Sequence, residues 1–498
     1  MLRPASAHSL ILTDDSLLLY AIFLGLGSFF VALLSYNFVD IDLWHELALI
    51  RESLSAGRLL TADPYAYTPT IRPWIDHEWG AGAIAYFAIH WLGSGALLIL
   101  KFSLALGCGY CCLRCARLGG ADYRISGACA PLAIALSYLG FFTLIRAQAY
   151  SFFFTALLLL LLQMDDRGSR KWIIPWFAIF PIWLNVHGGF VVGLGLLSLH
   201  CLEAMLLRKS FRHLLLVLIA MCLEIFLNPY GRAYVGYLAR ALTMARPYSA
   251  EWNPVWELGS YRTIVFVVAV LIAFFVLASR GIRGLPGILP LSATLFEATL
   301  HRKLLPFFAI AWLCYIPPAL QETAAGAWLL RFTHRRRNFW LAAWVMLACI
   351  SVAGAVRHKF WQISVPQPIY PVGPVDYLAE QKFHGNILVP FRLGSYVSWK
   401  LFPNCKVSLD SRYEEVYPDN VVRDVFNFYD AQPDWHSTLT KDPTDLVLVP
   451  KDVPLQKKMR ESNWPRIYVD QQFELYAKPG SAIPVVDRSS YSFVGVFP

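Results

Sequence analysis

Charge is what this sequence has least of. Asp, Glu, Lys and Arg make up 15% of its 498 residues, where a soluble globular chain carries roughly 25%. That depletion, with 57% hydrophobic residues and a mean hydropathy of +0.47, excludes an ordinary soluble enzyme. A disulfide framework is missing too. The ten cysteines lie mostly inside apolar segments, and after Val356 only Cys405 occurs, so no disulfide can close within that region. A cleavable leader is not expected. Met1–Asp15 is polar, and the apolar run from Ser16 has no small-residue cleavage site after it, so it reads as a first transmembrane helix. Internal repeats and low-complexity tracts are absent. The net charge of +9 is not read as a nucleic-acid signal, because Lys and Arg of membrane proteins collect in cytoplasmic loops.

Long apolar runs are what the sequence has in abundance. They fall near 16–38, 94–113, 125–142, 150–164, 172–187, 190–207, 214–228, 262–279, 286–298, 304–320 and 339–355. By the length criterion this predicts about eleven transmembrane helices. The segment 77–92 is short and opens on His77 and Glu78. If it does not cross, the basic loops Arg114–Arg124, Asp165–Lys171, Arg208–His213, Arg280–Arg283 and Arg331–Arg337 share one side, which is then cytoplasmic. Residues 77–92 are therefore read as juxtamembrane or half-inserted. The N-terminus is placed inside. Residues 39–93, 229–261 and everything after 356 are placed outside, in a multi-pass protein of the plasma (inner) membrane.

After Val356 charged residues and Pro become frequent. Strands are expected at Asn386–Phe391, Lys406–Asp410 and Asp445–Pro450, and helices at Ser395–Leu401, Asn420–Tyr429 and Val453–Ser462. Ile467–Asp470 and Phe473–Lys478 suit a terminal hairpin. The alternation predicts a small α/β domain over 357–498, beyond a helical module over 1–356.

Candidate site residues concentrate in the first outer loop. It opens with Asp40, Asp42, His45 and Glu46 and closes with Asp76, His77, Glu78 and Trp79. Ionisable groups at a membrane interface are costly unless solvated or paired, and so are functional candidates. The bland alternative is a solvated loop. No metal-ligand spacing is matched and no metal is assigned; a divalent cation (Mg or Mn) stays open. Arg146, His187, Arg232, Arg302 and Lys303 form a cationic set that suits a lipid phosphate; snorkelling toward headgroups is the alternative. The loop 229–261 is rich in Tyr and Trp and reads as an aromatic belt or as a platform for a sugar or isoprenoid chain. Cys108, Cys111, Cys112 and Cys115 fall on one helix face and read as small residues at a helix contact. Asp410 and Arg412, followed by Glu414 and Glu415, come after a predicted strand, where α/β ligands often bind. An acceptor site and a structural Asp410–Arg412 pair both fit.

VDIDLWHE followed by RPWIDHEW resembles the GT-C superfamily of lipid-dependent glycosyltransferases. The likeness is strongest to multi-spanning bacterial proteins distantly similar to protein O-mannosyltransferases and aminoarabinose transferases. It continues through IRAQAYSF, LNVHGGF, LNPYG, SAEWNP, LGSYVSWKLFP and KVSLDSRYEEVYPD. It implies a GT-C-like module whose first outer loop carries an acidic catalytic residue. It also implies a polyprenyl phosphate or diphosphate sugar donor, and a glycan, lipid or protein acceptor. By position Asp42 or Asp40 is the general base, and Asp76 with Glu78 the second acidic site. The cationic set would then stabilise the leaving phosphate, and a single displacement would invert the anomeric centre. A polymerase, flippase or transporter of polyprenyl-linked glycans, and a non-catalytic scaffold, are the competing classes. No nucleic-acid partner is expected.

Overall fold

A computed structural model describes residues 14–141, 146–282 and 285–498. The polar N-terminal stretch 1–13, the end of the 125–142 run with residues up to 145, and Arg283 lie outside the described residues, as does the side chain of Glu414. Each of the eleven apolar runs falls on a helix: Asp14–Leu33, Gly95–Leu118, Tyr123–Phe141, Gln148–Asp166, Ile173–Val186, Phe190–Leu206, Arg212–Glu224, Ser260–Arg280, Ile288–Leu300, Leu305–Gln321 and Arg337–Arg357. Among the described residues, six stretches are long and apolar enough to cross a membrane, and the other helices are shorter or less apolar. The protein is thus a helical membrane protein. Leu305–Gln321 is its hub. That helix is buried nearly all round, as expected of one apolar on every face, and it packs on Gly95–Leu118, Tyr123–Phe141, Gln148–Asp166, Ser260–Arg280 and Ile288–Leu300.

The cysteine face lies at a helix–helix contact. Cys108 Sγ and Cys115 Sγ donate to the carbonyls of Phe152 and Leu159, each at 3.6 Å. Turns between the helices gather in two groups. One group is tied by Lys209–Asp166, His213–Asp165 and Arg280–Glu322 ion pairs and by Gln321 against Asp122 and Gly120. The other holds the acidic loop. Lys101, early in Gly95–Leu118, donates to Leu34 O and Asn37 Oδ1 at the end of the first helix. The Trp79–Leu92 helix therefore begins and ends near the same end of the bundle.

Two helices frame the first loop. Ile41–Ala56 starts where Asp40 accepts a hydrogen bond from the Asp42 N–H at 3.0 Å, and stops at Gly57 in the left-handed region. Trp79–Leu92 buries a face of small residues, Gly80, Ala81, Gly82 and Ala85. At Gly82 a Cβ would sit 2.9 Å from the Glu46 carbonyl oxygen, so glycine is what lets the two helices touch there.

The C-terminal region forms the expected α/β fold. Its strands are β1 (Val365–Pro366), β2 (Gly385–Leu388), β3 (Cys405–Val407), β4 (Leu446–Pro450), β5 (Arg466–Val469), β6 (Phe473–Ala477), β7 (Val486–Asp487) and β8 (Val494–Gly495). Six make one sheet in the order β3-β2-β4-β6-β5-β7; β1 and β8 pair separately. β3, β2 and β4 run parallel, whereas β5 and β6 form the antiparallel hairpin. β4 and β6 are buried on both faces, which is why their sequences, LVLVP and FELYA, do not alternate.

What the sequence does not reveal is how the first loop joins this sheet. Tyr67 N–H donates to Val407 O, and Val407 N–H to Tyr65 O, so the loop covers the β3 edge. Leu49, Tyr65 and Trp74 enter the core formed by Leu388, Val447 and Val449. Arg412, 2% exposed, clinches the join. It pairs with Asp410 through Nε at 2.9 Å and through NH2, and with Asp63 of the loop at 2.8 Å. Its guanidinium lies 5.1 Å from the Tyr65 ring and 4.6 Å from that of Trp74. Asp410 and Arg412 are thus both buried within this join. Arg412→Ala strands two carboxylates in the interior. It should cost about 3–5 kcal/mol, as breaking a buried ion pair does. An unchanged thermal midpoint in detergent would overturn this account of the join.

Candidate active site

Seven carboxylates meet where the first loop, the helical module and the C-terminal domain touch. Their arrangement begins with Asp40 and Asp42. The cap geometry of Ile41–Ala56 fixes both side chains at the helix start. Arg146, just before Gln148–Asp166, reaches across to them: Nε is 3.3 Å from Asp40 Oδ2, and NH2 is 3.6 Å from Asp42 Oδ2. The same guanidinium grips Glu251 with two hydrogen bonds, at 2.5 and 3.2 Å. Glu251 in turn meets Lys303 at 3.4 Å. Charges thus alternate from the first loop to Lys303. Trp252 supports the cationic end, its ring lying 5.6 Å from Lys303 Nζ.

Asp76, His77 and Glu78 form the second half. Asp76 is 1% exposed; Oδ1 accepts from Glu78 N–H at 2.7 Å, while Oδ2 is buried without a hydrogen-bond partner. Glu78 Oε1 lies 3.2 Å from His77 Nε2 and 3.4 Å from His187 Nε2. His187 is a locked tautomer. Its Nδ1 accepts from the Gly189 N–H at 2.8 Å, so a neutral ring carries its proton on Nε2, toward Glu78. Ser151 Oγ is 2.7 Å from the same Nδ1 and accepts from Trp183 Nε1. A Cβ at Gly189 would overlap Ser151 Oγ, so the HGG turn needs its glycine for this approach. Glu46 lies between the halves, 1% exposed, with neither oxygen hydrogen-bonded.

Environment sorts these acids. Burial pushes Asp40 up to about 7 and Asp42 to about 6, with Arg146 pulling the other way. Asp42, 27% exposed at its side chain, stays closer to the ordinary carboxylate range, whereas Asp40 is raised further by the Asp42 charge. Burial, reinforced by Glu415, lifts Asp76 to about 8, and burial beside Glu78, Asp76 and Asp42 lifts Glu46 well above its usual range. Glu78 goes the other way: burial opposes ionisation, but His77 and His187 more than offset it. Arg146 and Lys303 outweigh burial at Glu251, holding it at about 2. Burial lowers His187 to about 3 and His45 to about 4.

The cluster gathers Asp40, Asp42, Glu46, Asp76, His77, Glu78, Arg146, His187 and Lys303 from the sequence candidates. His45 turns toward the C-terminal domain, its Nδ1 3.0 Å from Ser411 Oγ. Trp79 Nε1 donates to Asn185 Oδ1 at 3.0 Å, which pins the entry to its helix. Arg232 is exposed and has no ion pair among the described residues, nor has Arg302, whose N–H donates to Asn253 O. Neither joins the network. Sequence reasoning missed Glu251 and Ser151 as site members; it set Glu415 beside Asp410 and Arg412, and Tyr237 in the aromatic loop, without linking either to His77. Glu251 lies inside the SAEWNP string, but nothing in a single sequence links it to Arg146, 105 positions away.

A divalent cation needs several ligands aimed at one point. Among the described residues no three His, Cys, Asp or Glu side chains do this. Asp40, Asp42 and Glu251 converge on the Arg146 guanidinium instead.

This architecture has a known counterpart. The oligosaccharyltransferase of Archaeoglobus fulgidus, solved with a tethered acceptor peptide containing an NVT sequon, superposes with a TM-score of 0.57 at 12% identity, over 95% of this chain and 74% of that one. The fold is GT-C-like. No family model matches the chain, and no curated protein matches it by sequence. The GT-C-like expectation from the loop motifs is thereby met at the level of fold.

Arg146→Ala should lower the thermal midpoint, at a cost of about 3–5 kcal/mol for carboxylates left without their guanidinium. Arg146→Lys should recover only part of it, since one ammonium cannot serve three carboxylates as the planar fork does. Equal stability of both variants and the parent would contradict the bridging role.

Proposed function

We propose that this protein transfers a sugar from a polyprenyl phosphate or diphosphate to an acceptor hydroxyl at the non-cytoplasmic face of the plasma membrane, with Asp42 as general base. The observation that carries this reading is the alternating network of Asp40, Asp42, Arg146, Glu251 and Lys303, built at one end of a GT-C-like helical module. The basic loops gathered at the opposite end support a cytoplasmic placement for that end. The N-terminus would then be cytoplasmic, with about eleven crossings.

The chemistry follows from charge placement. The acceptor O–H attacks the anomeric carbon, and its proton passes to Asp42, the most exposed of the first-loop acids in the network. The bond from that carbon to the phosphate oxygen breaks, leaving the electron pair on a phosphate anion. This leaving group needs positive charge rather than a proton. Lys303 supplies it, with the Nε2–H of His187 as a further donor. Arg146 holds Asp42 in place while limiting the upward push of burial. A base near 6 is ionised at neutral pH yet still basic enough to take a proton as the bond forms. One displacement inverts the anomeric centre. The solved neighbour carries a peptide acceptor; for this chain a glycan, lipid or protein hydroxyl suits the same base.

Asp42→Asn, at unchanged expression, should reduce transfer of radiolabelled sugar from a polyprenyl phosphate donor by about 10²–10⁴-fold. The active form is the deprotonated one, so parent activity should fall as pH drops through about 6. Full retention by the variant removes Asp42 as base, and a product with retained configuration by NMR removes the single displacement. Because Arg146 fills the space between the carboxylates, chelation with EDTA should leave the rate unchanged. A rate abolished by EDTA and restored by Mg or Mn would show that a cation displaces Arg146.

A further inference from the structure

Glu415 belongs to the C-terminal domain, yet its carboxylate ends inside the site. It lies on the short helical turn Tyr413–Val416, three residues past the buried Arg412, and is 8% exposed. Oε1 is 2.5 Å from His77 Nδ1, and Oε2 accepts from Trp74 Nε1 at 3.3 Å. Tyr237 O–H points to the same place, 2.9 Å from His77 Nδ1 and 3.5 Å from Glu415 Oε1. The opposite ring nitrogen, Nε2, faces Glu78 at 3.2 Å. A neutral imidazole has one N–H and must present a lone pair at its other nitrogen. Here each nitrogen faces a carboxylate, so only the protonated ring donates to both; a neutral ring would turn a lone pair toward one of them, with the Tyr237 O–H the other neighbour at Nδ1.

We propose that Glu415 is a positioning residue through which the C-terminal domain clamps His77 as a two-sided hydrogen-bond donor, so that the domain completes the active centre. The contact stands on its own geometry; its catalytic consequence rests on the transferase reading above. The clamp is reached from every side by named groups. Asp76 and Glu78 flank His77 on its own segment. Tyr237 stacks on the ring at 5.5 Å between centroids, and His187 lies 6.1 Å away. Tyr230 O–H lies 3.2 Å from the Asp76 N, and Glu415 comes from the C-terminal domain. Of these neighbours the carboxylates favour the charged ring, whereas burial disfavours it. Burial is the largest single influence, yet Glu415 and Glu78 together overcome it and carry His77 well above an ordinary histidine. A raised value means that the clamp holds at low and neutral pH and loosens as pH rises through it. Without the Glu415 charge, loosening must come at lower pH.

Diethyl pyrocarbonate modifies neutral imidazole and spares the protonated ring, so it reads this state without any assay of activity. The full chain is labelled in detergent across about pH 6 to 8, the range in which an unperturbed histidine loses its proton. Modification of His77 is followed by peptide mass spectrometry, with exposed His384 as internal reference. In the parent, His77 should stay protected across the range. In Glu415→Gln it should become reactive at least about tenfold faster near neutrality, the change expected for one unit of pKa. Glu415→Asp, which keeps the charge, should restore protection and serves if the Gln variant does not fold. Sugar transfer should move in parallel, with the alkaline limb displaced to lower pH in Glu415→Gln and returned in Glu415→Asp. Equal protection of His77 in parent and Glu415→Gln, or a His77 as reactive as His384 in both the parent and Glu415→Asp, overturns the clamp. Labelling as expected with no sugar transfer by the parent upholds the clamp and sinks the transferase reading instead.

Discussion

A guanidinium with no access to water holds this molecule together where its parts meet. Arg412 joins Asp410, three residues past β3, to Asp63 of the first loop, and is closed off by Tyr65 and Trp74. Burying such a charge is costly unless every partner is in place, so the loop and the domain must assemble together or not at all. Much of the site hangs from that join. Trp74 bonds to Glu415, Ser411 bonds to His45, and Tyr65 and Tyr67 bracket the sheet edge. The loop is therefore rigid for a structural reason, and its acids are aimed before any substrate arrives, which is the condition for electrostatic preorganisation.

Similar carboxylates in one small volume end in different protonation states. Glu251 and Glu78 each have cationic or histidine partners and stay ionised, whereas Asp76 and Glu46 carry unpartnered oxygens in the interior and resist ionisation. Asp40 and Asp42 fall between these extremes because burial and Arg146 oppose each other there. Such separation of like groups by surroundings alone is how a single site supplies bases, acids and fixed charges at one pH.

Much of this was legible in the sequence, for local reasons. Apolar runs must be helices, because lipid leaves backbone groups no other partner, and all eleven are. The alternating pattern after Val356 places the strands and the hairpin within a few residues, since side-chain periodicity and turn residues act over short range. The site was half legible. Asp40, Asp42, Asp76 and Glu78 stand out as dense charge in a charge-poor chain, and Arg146 and His187 as polar groups at short turns. The rest was hidden for a physical reason. Glu251 and Glu415 matter only through partners 105 and 338 positions away, and spacing carries no record of such contacts. Arg232 and Arg302 illustrate the converse: a cation at the right end of a helix looks the same in sequence whether or not folding turns it inward.

Two of the thiols on Gly95–Leu118 have a consequence for the start of the neighbouring helix. Cys108 and Cys115 are seven residues apart, and so are the carbonyls they meet, Phe152 and Leu159. Two full turns rise roughly 10.5 Å on both helices, so the contacts act like paired teeth of a ratchet. A slip of one turn would disengage both at once. Gln148–Asp166 is thereby held at a set depth, and Arg146, two residues before its first turn, inherits that depth. The position of the guanidinium along the bundle is thus tied to a thiol contact at Phe152, six residues further along the chain.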